Sequence, residues 1–150
     1  MNAIVVDASV AVKWFLPEPH APAARRVLTG QRTLLAPDFI WAEVGNVLWK
    51  RCQRAEIARE AAQRILRDFR KFPIKTYAAK ALLEHAWLLA TQHQITVYDG
   101  LYLALAISRR CNLVTADRGF VDATKAEPFA SIVVWIEQFD GKRARRLHFR

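Results

Sequence analysis

Four carboxylates in this chain stand where acids are otherwise awkward: Asp7, Glu43, Asp99 and Asp117, each joined to an apolar run. Asp7 closes Ala3-Ile4-Val5-Val6, and Asp117 follows Leu113-Val114-Thr115-Ala116. Glu43 and Asp99 lie within or just ahead of apolar stretches with helical spacing. A carboxylate at the edge of a core is costly unless something pairs with it. The chain has only 14 acidic residues against 23 basic ones, so these acids do not serve solubility. A divalent cation shared by several of them is the economical explanation, because hard cations favour carboxylate oxygen and water. Two such ions about 3.5–4 Å apart can activate a water and stabilise the leaving oxygen of a phosphodiester. The chemistry implied is metal-dependent hydrolysis of a polyanion.

Each acid also has a plainer reading. Asp7 could cap the next helix with Ser9 assisting, and Glu43 could pair with a nearby arginine. Asp99 could be an N-cap, and Asp117 could begin the turn Asp117-Arg118-Gly119. Taken together, and with no nucleophilic serine or cysteine motif in the chain, the four favour a shared metal site. Four anions within a few ångströms raise one another's pKa, and a bound Mg²⁺ or Mn²⁺ relieves that repulsion.

The elements that must position these acids are legible from periodicity. Ala3–Val6, Thr33–Ala36 and Asn112–Ala116 read as short buried strands, with Phe72–Tyr77 and Ile132–Ile136 as two more. Helical stretches run over Val10–Phe15, His20–Leu28, Ala78–His93 and Leu101–Ser108, the last nearly all apolar and therefore buried. From Asp38, a candidate N-cap, the spacing of Ile40, Val44, Val47 and Leu48 is helical. Ile57, Ala61, Ile65 and Phe69 recur every four residues with arginines between them, an amphipathic helix with a basic outer face. Strands alternating with helices imply a parallel α/β sheet with right-handed crossovers. In such a sheet functional groups collect at the carboxyl ends of the strands, where Asp7 and Asp117 both stand.

The 150 residues suit one domain able to bury its own core, and the 53% hydrophobic content excludes disorder. We expect that domain over residues 1–140, with 141–150 a basic tail. Cys52 and Cys111 lack metal-ligand spacing and read as reduced thiols. With no basic region ahead of the first apolar run, and the Ala81–Ala90 stretch broken by Glu84 and His85, a cytoplasmic protein without a membrane partner is expected. The net charge of +9 favours a polyanionic partner. Basic residues concentrate between Lys50 and Lys75 and again from Lys142 to Arg150. Part of them reads as solvated surface, and part plausibly meets nucleic-acid phosphates or an acidic protein.

Here the residues resemble a known family. Val5-Val6-Asp7-Ala8-Ser9, Glu43 in Pro37-Asp38-Phe39-Ile40-Trp41-Ala42-Glu43-Val44, Tyr98-Asp99 before an apolar helix, and Leu113-Val114-Thr115-Ala116-Asp117 resemble the PIN-domain ribonucleases. Asp7 to Pro17 looks especially like the VapC toxins of toxin–antitoxin pairs. The resemblance runs from about residue 3 to residue 136. It implies a three-layer α/β sandwich with a four-to-five-stranded parallel sheet, and a Mg²⁺- or Mn²⁺-dependent endoribonuclease. It implies that Asp7, Glu43, Asp99 and Asp117 are the metal-binding catalytic acids. Ser9 and Thr115 match hydroxyl positions beside the first and last acids, where hydrogen bonds would orient carboxylates. An RNA substrate, a VapB-like antitoxin and a homodimer follow as expected partners.

Other classes fit less well. A housekeeping PIN-domain nuclease is the nearest alternative. A non-catalytic RNA-binding module would leave the acids unexplained, since carboxylates repel RNA. A haloacid-dehalogenase-type phosphatase needs a second aspartate where this chain has Ser9, and a receiver domain needs a lysine where Ile136 is followed by Glu137.

Overall fold

The computed structural model describes residues 2–141; most of the expected basic tail, 142–150, lies outside the described residues. Five strands, β1 (Ala3–Val6), β2 (Thr33–Pro37), β3 (Ile74–Tyr77), β4 (Asn112–Thr115) and β5 (Val133–Trp135), form one sheet in the order β3-β2-β1-β4-β5. Every pairing is parallel, with Val6 opposite Val114 in the central pair. All four residues of β1 and of β4 are buried, so helices cover the sheet on both faces. The fold is the expected α/β sandwich.

Seven α-helices accompany the strands among the described residues: α1 (Ala8–Ala11), α2 (Ala21–Arg26), α3 (Ile40–Gln53), α4 (Arg59–Arg70), α5 (Ala79–His93), α6 (Val97–Arg109) and α7 (Arg118–Ala123). The stretch expected to be helical from Val10 to Phe15 divides into α1 and a 3-10 turn, Val12–Trp14. Helix α7 follows Asp117 where only a turn is legible, because six residues are too few to show a period. Asp38 does not cap α3. Its Oδ1 accepts a 3.0 Å hydrogen bond from the Ala79 amide, tying the start of α5 to the end of β2.

The strand order reverses direction between β1 and β4. The chain winds outward from β1 to β3 on one side, then returns to β4 and β5 on the other. In parallel sheets the crevice above such a reversal is where ligands bind. Helix α6 packs across β1, β2 and β4 beneath this point, and α5 packs on α6. Residues Gly100 to Ala106 of α6 are all buried, which sets the height of its first turn.

The α5–α6 contact is close because of one glycine. A Cβ on Gly100 would lie 2.6 Å from the Ala86 carbonyl oxygen, a backbone atom that cannot step aside. Gly100→Ala should therefore push α6 away from α5, at a cost of about 1–3 kcal/mol. Urea denaturation of the purified variant measures this; unchanged stability would mean that the two helices have slack.

Candidate active site

Asp7 is the first residue beyond β1 and the N-cap of α1. It is 4% exposed, and both carboxylate oxygens are taken. Oδ1 accepts from the Ser9 amide at 2.7 Å and from the Ser9 hydroxyl in a very short contact. Oδ2 accepts from the Thr115 hydroxyl at 2.6 Å. Each hydroxyl in turn accepts a backbone amide from the segment just after β4: Ala116 N–H on Ser9 Oγ and Asp117 N–H on Thr115 Oγ1, both at 3.0 Å. With their single protons committed to Asp7, the two hydroxyls, 3.5 Å apart, have none left to share with each other. Ser9 and Thr115 thus bind the end of β1 to the end of β4 through one carboxylate.

Asp117 caps α7, its Oδ1 accepting from the Phe120 amide at 3.2 Å, and it is solvent-exposed. Glu43 lies in the first turn of α3 and Asp99 in the first turn of α6, where Thr96 supplies the cap by accepting the Asp99 amide at 3.0 Å. The plainer reading of Asp7 as a cap is realised, and Asp117, read as the start of a turn, instead caps a helix; the plainer readings of Glu43 and Asp99 are not realised. Among the described residues none of the four acids forms an ion pair.

The four acids share one electrostatic field. Burial, and then the charges of Asp7 and Asp99, push Glu43 up to about 8 despite partial relief from the Tyr102 hydroxyl. Burial, then Asp7 and Asp117, push Asp99 up to about 7. Asp7 is raised chiefly by burial, although Ser9 and Thr115 oppose the shift. Glu43 Oε2 and the Tyr102 hydroxyl are both buried, near enough to influence each other but with no well-formed hydrogen bond. Among the described residues no three acidic, histidine or cysteine side chains already stand in metal-binding geometry. The donors nonetheless suit a hard divalent cation in kind, being carboxylate oxygens with one buried oxygen unpartnered. Convergence on one ion requires side-chain rotation, most readily at exposed Asp117 and half-buried Asp99.

Two neighbours were not singled out in the sequence. Tyr102 is one helical turn beyond Asp99, so the i, i+3 spacing was its only signal. Lys13 is held by Glu18 at 3.0 Å, and Arg51 also binds Glu18. Burial and Arg51 lower the Lys13 pKa while Asp7 supports its charge. Trp14, Phe15 and Trp41 pack against Phe69 and Phe72. Trp49 is exposed, in a cleft of about 430 Å³ between α3 and α4. Cys52 and Cys111 are free thiols.

The PIN domain family matches residues 4–126 of this chain. Ribonuclease VapC3 of Pyrobaculum aerophilum is 33% identical over 132 residues, covering 87% of this chain and 97% of that protein. The chain belongs to the PIN-domain family and, within it, to the group of VapC ribonucleases. Two solved structures share the fold. Pyrobaculum aerophilum PAE2754 superposes with a TM-score of 0.65 at 24% identity, over 91% of this chain and 85% of its own. A toxin–antitoxin complex from Klebsiella pneumoniae gives 0.60 at 18% identity, over 91% and 99%. No described helix is long and apolar enough to cross a membrane.

The raised acids set a pH dependence. A carboxyl whose pKa is higher in the folded than in the unfolded chain holds its proton more tightly when folded. Its contribution to stability is therefore lost as pH rises from the ordinary value of 4.5 through about 8 for Glu43. Metal-free protein should lose at least about 3 °C of Tm between about pH 5 and pH 8, the shift ~1 kcal/mol makes in a domain of this size. Glu43→Gln should flatten the curve. A profile rising over that range would contradict the charge crowding described.

Proposed function

We propose that this chain is a Mg²⁺- or Mn²⁺-dependent endoribonuclease, the toxin of a VapBC-type toxin–antitoxin pair. The observation that carries the reading is the coupling of Asp7, Glu43, Asp99 and Asp117 above the strand reversal, with no side-chain cation paired to any of them among the described residues. Its relatives named as ribonucleases support RNA as the polymer. The four acids would hold the metal, and Ser9 and Thr115 would fix the Asp7 carboxylate that anchors it. When bound, the cation supplies the positive charge that lets these acids ionise together and offsets charge developing on the phosphodiester. The protein's own part is to hold the acids in place, their carboxyl protons passing to solvent as they ionise. Glu43 and Asp99 titrate at about 8 and about 7, so metal affinity rises through that range.

Asp99→Asn should reduce RNA cleavage, with Mg²⁺ present, to the level seen with EDTA, and should abolish growth inhibition on expression. Removing one repelling anion should leave the metal-free Tm unchanged or higher. Asp7→Asn should also be inactive but less stable, because its amide nitrogen would face donors that now meet an oxygen. Full nuclease activity in either variant would remove the shared-metal reading.

We also propose a homodimer and a VapB-like antitoxin whose segment covers the acids, an arginine pairing with them bidentately. Exposed Leu83, Trp87 and Leu88 on α5 support self-association, because apolar side chains clustered on one helix mark an interaction surface. Trp87→Asp should shift the protein to monomer in sedimentation while its metal-free Tm holds. An unchanged sedimentation coefficient for the variant, or a monomeric wild type, would exclude this face as the dimer contact.

A further inference from the structure

Among the described residues Tyr98 is the most exposed of the large hydrophobic side chains, with 63% of its surface open. It is nevertheless held firmly. Its ring stacks on Phe39 with centroids 5.5 Å apart and planes 27° from parallel, and Phe39 in turn lies 5.4 Å from buried Tyr102. This ladder joins the helix starts that carry two of the acids. Tyr98 directly precedes Asp99, and the Phe39 carbonyl accepts the Glu43 amide at 3.0 Å. The inner end of the ladder, Tyr102, feels the charges of Glu43, Asp7 and Asp99. Among the described residues Phe39 is the one ring that packs on Tyr98.

We propose that Tyr98 is a base-stacking platform, receiving a nucleobase of single-stranded RNA beside the scissile phosphate. This rests on the ribonuclease reading and adds to it a positioning residue. Unstacked bases of single-stranded RNA are commonly bound on aromatic rings, and stacking tolerates any base because each has a π-face. A ring already fixed by Phe39 loses little conformational freedom when a base lands on it. The position also answers a local difficulty. Acids repel the RNA backbone at the site that must approach it, and a stacked base supplies attraction there without added charge. A second copy of the chain could instead cover the ring, but the apolar residues suited to that purpose lie along α5, whereas Tyr98 is anchored to the start of α3.

The test compares full-length wild type with Tyr98→Ala, Tyr98→Phe and Tyr98→Trp. The probe is a cleavage-resistant single-stranded RNA carrying aminopurine at successive positions, with Mg²⁺ present. Wild type, Tyr98→Phe and Tyr98→Trp should quench aminopurine at one position near the cleavage point, and Tyr98→Ala should not. On cleavable RNA, Tyr98→Ala should raise KM roughly 5- to 150-fold with little change in kcat, as loss of one stacked base predicts. The salt dependence of binding should stay the same, since no phosphate contact is lost. Quenching that persists in Tyr98→Ala while cleavage is normal overturns the platform alone. A change in sedimentation on Tyr98→Ala assigns the ring to a dimer contact and overturns it too. A wild type that cleaves no RNA, with or without metal, overturns the ribonuclease reading and the platform with it.

Discussion

The site depends on one buried carboxylate that closes the seam between the two central strands. Asp7 and the Thr115 hydroxyl meet where β1 and β4 end side by side, and Ser9 completes the junction from the first turn of α1. Replacing Thr115 with an apolar residue would leave Asp7 Oδ2 buried without a donor and the Asp117 amide without an acceptor. Such losses typically cost more than the bond itself contributes, because the desolvation of the remaining partner is no longer offset. The same hydrogen bonds lower the cost of ionising Asp7 and fix its orientation. On the proposed metal-site reading, its fold-supporting and metal-holding roles would be one arrangement rather than two competing ones.

The other three acids are less constrained, in an order set by their backbone. Asp117 is exposed at a helix start, Asp99 is half-buried, and Glu43 carries a buried oxygen with no partner. Helix N-termini favour negative charge, yet burial and mutual repulsion still drive Glu43 to about 8 and Asp99 to about 7. The cost of the crowding is borne by the rest of the fold. Burial of the strand pair β1–β4 and of the α6 run Gly100–Ala106 holds the acid-bearing backbones in place whether or not the acids are ionised.

The centre of the sheet was legible because β1, β2 and β4 are short apolar runs closed by an acid or a proline, whereas β3, Ile-Lys-Thr-Tyr, has a weaker pattern because it lies at the edge and is only partly buried. The long helices were legible because Ile57, Ala61, Ile65 and Phe69, and the run from Leu101, carry enough turns to show a period. Helix α7 and the division of Val10–Phe15 were not, since neither spans two full turns of one helix type. Asp38 was misplaced for a different reason: its local context suits a cap, but its partner is the Ala79 amide, distant in sequence and reached only through the β2–β3 pairing. The four acids stood out by being charged at the edges of apolar runs. Tyr102 and Lys13 did not, because a tyrosine in an apolar helix and a lysine in a short helical turn look ordinary until the fold sets them beside carboxylates.

A chain of +9 net charge built around a cluster of acids uses opposite signs over different distances. The exposed arginines of α4, Arg59, Arg64, Arg67 and Arg70, present positive charge to solvent. Such charge attracts a polyanion over roughly a Debye length, about 8–10 Å in physiological salt. Inside that distance the acids, where ionised, oppose a phosphate's last approach. On the ribonuclease reading a cation among the acids reverses the local sign, so that attraction continues from the surface to the scissile bond. On the same reading a bound cation would bear on the seating of RNA as well as on the chemistry. The basic surface alone brings the polymer near; the acids admit it only once neutralised.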